Sequence, residues 1–210
     1  MHWRHDLAWL TPEGWQAAAL PAEASHWPVH GWPAVVRRQD DDAGEDTICL
    51  GISLPPSPHD GAKRRVGLRV PLAQVLRIER PMALRDAVAA APPAWRAQLG
   101  ALVSASAGLT LCVYGSLAQQ ALTGAPYVNA TSDIDLLFYP STPMQLDAGL
   151  SLLQAHGAGL PLDGEIMFPN GAAVAWREWV MAAANDAHVL VKDLAGVRLA
   201  PINSLLASLA

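Results

Sequence analysis

Apolar residues along the chain fall into short blocks of strand or helix length, separated by turn formers. In the first third, Asp6–Leu10, Pro33–Arg37, Thr47–Leu54 and Val66–Val70 are compact apolar runs, and each predicts a strand. Thr11 followed by Pro12 predicts an N-cap with proline at the first helical position, opening a helix to about Leu20. Two polar stretches, RRQDDDAGED and PPSPHDGAKRR, predict loops, and Pro71 opens a further segment to about Arg80.

From Pro81 the pattern changes. Met82–Ala90 and Ala94–Ala107 have helical composition, broken by Pro92-Pro93. Leu109–Tyr114 predicts a buried strand, Gly115-Ser116 a turn, and Leu117–Leu122 the start of a helix. Asp133–Tyr139 predicts the next strand, and Thr142-Pro143 caps a helix reaching about His156. Strands are then expected at Leu160–Phe168, Ala172–Trp176, His188–Val191 and Val197–Leu199, with short helices at Trp176–Ala184 and Ile202–Leu209. The expected fold class is α/β (α+β). A small mixed N-terminal domain would span residues 1–80, and an α/β domain with a mixed sheet flanked by helices residues 81–210.

Composition supports a packed core: 51% of residues are hydrophobic and 16% are charged. The formal net charge of -5 argues against a nucleic-acid binder held by bulk positive charge. No apolar stretch is long enough to span a bilayer, and the N-terminus has no apolar signal core. Cys49 and Cys112 lie far apart in apolar runs and are expected as reduced core residues of a cytoplasmic protein. The histidines show no metal-ligand spacing.

The chemistry concentrates around SDIDLLF, residues 132–138. Side chains alternate across a strand, so Asp133 and Asp135 project to one face while Ile134 and Leu136 face the core. Two carboxylates on one face repel unless a cation lies between them, and oxygen ligands suit a hard divalent ion such as Mg2+. Upstream, Gly115-Ser116 joins a strand to a helix, whose N-terminus favours phosphate; Ser116 adds a hydroxyl donor. A third acid is available in PLDGEIMF, where Asp163 and Glu165 are two apart and share a face on a strand. Gly164 marks a candidate bulge between them, and which of the two acids joins the pair stays open.

Arg177 in WREW reads either as a phosphate ligand or as a surface residue of an amphipathic helix whose tryptophans enter the core. Lys192, at the end of HVLVK, reads as a phosphate contact or a solvated strand end. The basic runs Arg37-Arg38 and Lys63–Arg65 are solvated faces or docking sites.

The glycine-serine turn, the SDIDLL strand and the later acidic strand resemble the nucleotidyltransferase fold of the DNA polymerase beta superfamily. Over most of the chain, RHDLAWL, VYGSLAQQALTG, TSDIDLLF, LDGEIMFPNGAAVAWREW and VLVKD resemble one family in particular. This is the malonate decarboxylase holo-acyl-carrier-protein synthase, or phosphoribosyl-dephospho-CoA transferase, family. The spacing from glycine-serine to the acids is wider here than in compact members of the superfamily, with TGAPYVNAT inserted.

The resemblance implies transfer of a phosphoribosyl-dephospho-CoA group from triphosphoribosyl-dephospho-CoA to a serine of the apo acyl carrier subunit of malonate decarboxylase, releasing pyrophosphate. It implies that Asp133 and Asp135 hold Mg2+ and the donor phosphates, and that Gly115 and Ser116 cradle the triphosphate. Asp163 or Glu165 would be the third catalytic acid, binding a second metal or taking the proton of the attacking serine. Two other readings share some of these features: a nucleotidyltransferase using a nucleoside triphosphate, and a non-catalytic module that docks a carrier protein.

Overall fold

A computed structural model of the chain describes residues 2–57, 59, 61–183 and 188–209. The chain divides into two compact units, one running to Pro81 and including Leu194–Gly196, the other comprising Met82–Asp193 and the chain from Val197.

The first unit is a five-stranded antiparallel sheet carrying short helical turns. Strands β1 (Leu7–Leu10), β2 (Ala34–Val36), β3 (Thr47–Ser53), β4 (Arg65–Pro71) and β5 (Val75–Glu79) lie in the order β4-β3-β2-β1-β5. Thr11 caps α1 (Pro12–Ala17) as expected, its hydroxyl accepting from the Gly14 N–H at 2.9 Å. The helix is shorter than predicted because Ala19 takes a left-handed φ of 48°, turning the chain ahead of Pro21. Alternating residues of β3 and β4, among them Ile48, Leu50, Ile52 and Leu68, close a core around Trp27. Trp27 is 1% exposed, and its indole N–H donates to the Pro33 carbonyl at 2.9 Å. The untyped segment after Pro71 contains β5, an edge strand bearing exposed Arg77 and Glu79.

The second unit is built on a six-stranded mixed sheet. Its helices α2 (Leu84–Ala87) and α3 (Pro93–Ala105) precede β6 (Leu111–Val113), which leads into α4 (Gly115–Thr123). Then come β7 (Ile134–Phe138), α5 (Pro143–Gly157), β8 (Leu162–Met167), β9 (Ala173–Ala175) and α6 (Trp176–Ala183). The unit ends with β10 (His188–Lys192), β11 (Val197–Pro201) and α7 (Ile202–Leu206). Ala184, the expected end of the α6 helix, lies outside the described residues.

The sheet order is β11-β10-β9-β8-β7-β6, with β7 and β8 parallel and the other pairs antiparallel. One face is covered by helices: Ile134, Leu136 and Phe138 of β7 share a buried cluster with Leu99 and Leu102 of α3 and with Leu146 and Leu153 of α5. The period of two therefore leaves Asp133 and Asp135 on the opposite face. The cap predicted for α5 is present, the Thr142 hydroxyl accepting from the Gln145 N–H at 3.1 Å. Both cysteines are buried and outside any disulfide. Among the described residues, no helix is long and apolar enough to cross a membrane.

Candidate functional site

The site begins where β6 hands over to α4. The Tyr114 N–H donates to the Asp135 carbonyl at 3.1 Å, and the next residue, Gly115, takes a φ of +65°. The helix starts on Gly115 itself rather than at Leu117, so Ser116 lies in its first turn. A Cβ on Gly115 would stand 1.9 Å from Asp135 Oδ2. Only glycine lets this carboxylate lie against the start of the helix. The first-turn N–H groups there favour negative charge, whether from a carboxylate or from phosphate.

The entry to β7 is fixed by local hydrogen bonds. The Asn129 carboxamide oxygen accepts from the Thr131 N–H at 3.0 Å and from the Ser132 hydroxyl at 3.1 Å. The Ser132 hydroxyl in turn accepts from the Asn129 N–H at 3.0 Å. This turn delivers Asp133 to the end of the strand. The inserted segment before it is tied to α4 by Gln120, whose side-chain oxygen accepts from the N–H groups of Tyr127 and Val128, each at 3.0 Å. Burial pushes the Tyr127 hydroxyl up to about 12, so it stays protonated.

Strand β8 supplies the third acid. In the parallel register Asp135 stands opposite Asp163, whereas Glu165 stands opposite Leu137. Gly164 permits the approach: its φ is +133°, and a Cβ there would sit 1.9 Å from the Leu136 carbonyl oxygen. One carboxylate oxygen from each of Asp133, Asp135 and Asp163 falls within 4.8 Å of the others. Asp133 and Asp163 are exposed and Asp135 is half-buried. Three converging carboxylates repel one another, and a divalent cation with oxygen ligands relieves that repulsion. The donor set fits such a metal.

Glu165 is placed differently. It is 5% exposed, and Lys192 Nζ lies 2.9 Å from its Oε1. Arg177 donates from Nη2 to the Leu162 carbonyl at 2.8 Å, and its guanidinium lies 4.5 Å from the Trp176 ring centroid. Trp176 and Trp179 are buried, as the amphipathic-helix reading of WREW expects. The structure thus groups Asp163 with the aspartate pair, pairs Glu165 with Lys192, and sets Arg177 against the strand leading to Asp163. Sequence reasoning did not single out Asn129, Ser132 or Gln120; the Asn-x-x-Ser spacing before SDIDLL was the available signal for the turn.

Comparison with known families covers both units. Residues 83–202 match the model described as phosphoribosyl-dephospho-CoA transferase MdcG C-terminal domain, and residues 3–81 match its N-terminal domain. A phosphoribosyl-dephospho-CoA transferase of Xanthomonas campestris pv. campestris is 38% identical over 209 residues, covering 96% of this chain and 95% of the relative. One from Xanthomonas axonopodis pv. citri is 40% identical over 205 residues, covering 94% and 93%. One from Bradyrhizobium diazoefficiens is 37% identical over 202 residues, covering 91% and 86%. No solved structure matches the chain significantly. With both family models matched in order and relatives of this identity aligned nearly end to end, the chain is a transferase belonging to the phosphoribosyl-dephospho-CoA transferase family.

Proposed function

We propose that this transferase moves a phosphoribosyl-dephospho-CoA group from triphosphoribosyl-dephospho-CoA to a serine of the apo acyl carrier subunit of malonate decarboxylase. The observation that carries the reading is the convergence of Asp133, Asp135 and Asp163 within 4.8 Å, beside a glycine-initiated helix. In this reading the three carboxylates are ligands for Mg2+. When bound, Mg2+ would offset the charge of the donor phosphates.

The residues of the chain have separate tasks. The N–H groups of Gly115 and Ser116 cradle the phosphates at the helix N-terminus. Arg177 holds the start of β8 through the Leu162 carbonyl, and so fixes Asp163. The carrier serine oxygen attacks the phosphorus retained in the product. A new P–O bond forms there, the P–O bond to pyrophosphate breaks in line with it, and the serine proton passes to water. Catalysis comes from positioning and charge neutralisation.

Mass spectrometry of the apo carrier after incubation with the protein, donor and Mg2+ tests this reading. The carrier is expected to gain the mass of one phosphoribosyl-dephospho-CoA group. No gain with a competent donor, or efficient nucleotide transfer from ATP in its place, would overturn it.

A further inference from the structure

Glu165 is almost wholly enclosed at 5% exposure, yet it is not one of the three acids that converge. A buried carboxylate without a cation is costly, and a buried ion pair is often no more stable than apolar residues of the same volume. Packing alone therefore gives a weak reason for a glutamate here. Its partner Lys192 comes from β10, beyond β9: Lys192 is in register with Ala173, and Ala173 with Met167. The lysine reaches back along the sheet to Glu165, one position before the Met167 level on that face.

The same face of β8 carries Asp163, two residues earlier, which places the two Cα atoms about 7 Å apart. The acid cluster lies on the adjacent parallel strands β7 and β8. It is flanked on the β6 side by the start of α4 and on the β10 side by Lys192. The Lys192 side chain keeps 33% of its surface exposed, whereas Glu165 keeps 5%. An ammonium has three donors, and among the described residues Glu165 is the acidic partner of this one. The pair therefore holds a positive charge at a fixed point beside the acids, with one side open to a ligand.

We infer that Glu165 is a positioning residue, and that it holds the Lys192 ammonium as a second anchor for the polyphosphate of the donor, across the acid cluster from the α4 N-terminus. The inference rests on the donor chemistry proposed above. It divides the two acids of LDGE: Asp163 joins the metal ligands, and Glu165 orients a cation.

The test measures binding by the full chain without turnover. Mn2+ affinity is measured by calorimetry for wild type, Asp163→Asn, Glu165→Gln and Lys192→Met, followed by affinity for inorganic tripolyphosphate with Mn2+ present. Asp163→Asn is expected to weaken Mn2+ binding, while Glu165→Gln and Lys192→Met leave it unchanged. Both of the latter should weaken tripolyphosphate binding by about tenfold, and Lys192→Arg should retain it. The double variant Glu165→Gln/Lys192→Met leaves no unpaired buried charge, so its fold is the safeguard. Its loss should be no larger than that of Lys192→Met alone.

If Glu165→Gln weakens Mn2+ binding as much as Asp163→Asn does, Glu165 is a metal ligand and the inference fails. If a folded Lys192→Met or double variant binds tripolyphosphate as wild type does, the pair is only structural and the inference also fails. Failure of the transfer reading looks different: wild type would bind both ions yet add no mass to the carrier.

Discussion

Two pairs of aspartates in this chain share the spacing Asp-x-Asp, and their fates differ. Asp40 and Asp42 sit in a loop of the first unit, where the chain supplies the counter-charge. Arg37 Nη2 donates to Asp40 at 2.7 Å, Arg69 Nε donates to Asp40 at 2.8 Å, and Arg69 Nη2 donates to Asp42 at 2.6 Å. Arg37, a candidate docking cation by sequence, is thereby engaged within its own unit. The hydrogen bonds from Arg37 and then Arg69 hold the Asp40 carboxyl well below the usual carboxylate range. Asp133 and Asp135 instead lie at the start of a strand and gain a third acid, Asp163. The spacing is the same; what differs is whether neighbouring strands bring arginines or another carboxylate. A loop that gathers arginines neutralises its acids, whereas a strand face that gathers acids can hold a cation from outside.

The largest effect is expected where β6 hands over to α4. Gly115→Ala should cost transfer on the order of a hundredfold, because the new Cβ displaces the Asp135 carboxylate. Steady-state rates beside a thermal melt check this: activity should fall far more than stability. A smaller effect is expected at Asp6, a third kind of aspartate, buried at 5% exposure with the Trp3 N–H donating to it at 2.8 Å. Burial pushes its carboxyl above the usual value of 3.8, so its charged form is disfavoured in the fold. Asp6→Asn should therefore raise the melting temperature at neutral pH by a few degrees. The gain should shrink as the pH falls through the raised value and vanish below 3.8, where both states are protonated.

The smallest effect belongs to Asp40→Asn. Depressed in the fold, this carboxyl contributes stability that is present above pH 3.8 and lost as the pH falls further. Because the group is only half-buried, the loss on substitution should be slight and should fade in high salt. Melts at low and high ionic strength check it.

What could be read from the sequence follows the range of each signal. The face shared by Asp133 and Asp135 was legible because a period of two is local to one strand. The caps at Thr11 and Thr142 were legible because the hydroxyl reaches only three residues along, to Gly14 and Gln145. The choice between Asp163 and Glu165 was not, because it depends on a neighbouring strand: one stands opposite Asp135 and the other opposite Leu137. The edge strand Val75–Glu79 went untyped because its charged residues blur the apolar pattern. The closeness of Gly115 to Asp135 is likewise a contact between β7 and the start of α4, which spacing alone does not encode.

The most direct test sets the two aspartate pairs against each other in one assay. Apo carrier is incubated with donor and Mg2+ and with wild type, Asp40→Asn/Asp42→Asn or Asp133→Asn/Asp135→Asn, and its mass is read. The account predicts a full mass gain with the first two proteins and nearly none with the third, all three being folded by circular dichroism. A gain that persists in Asp133→Asn/Asp135→Asn would contradict it.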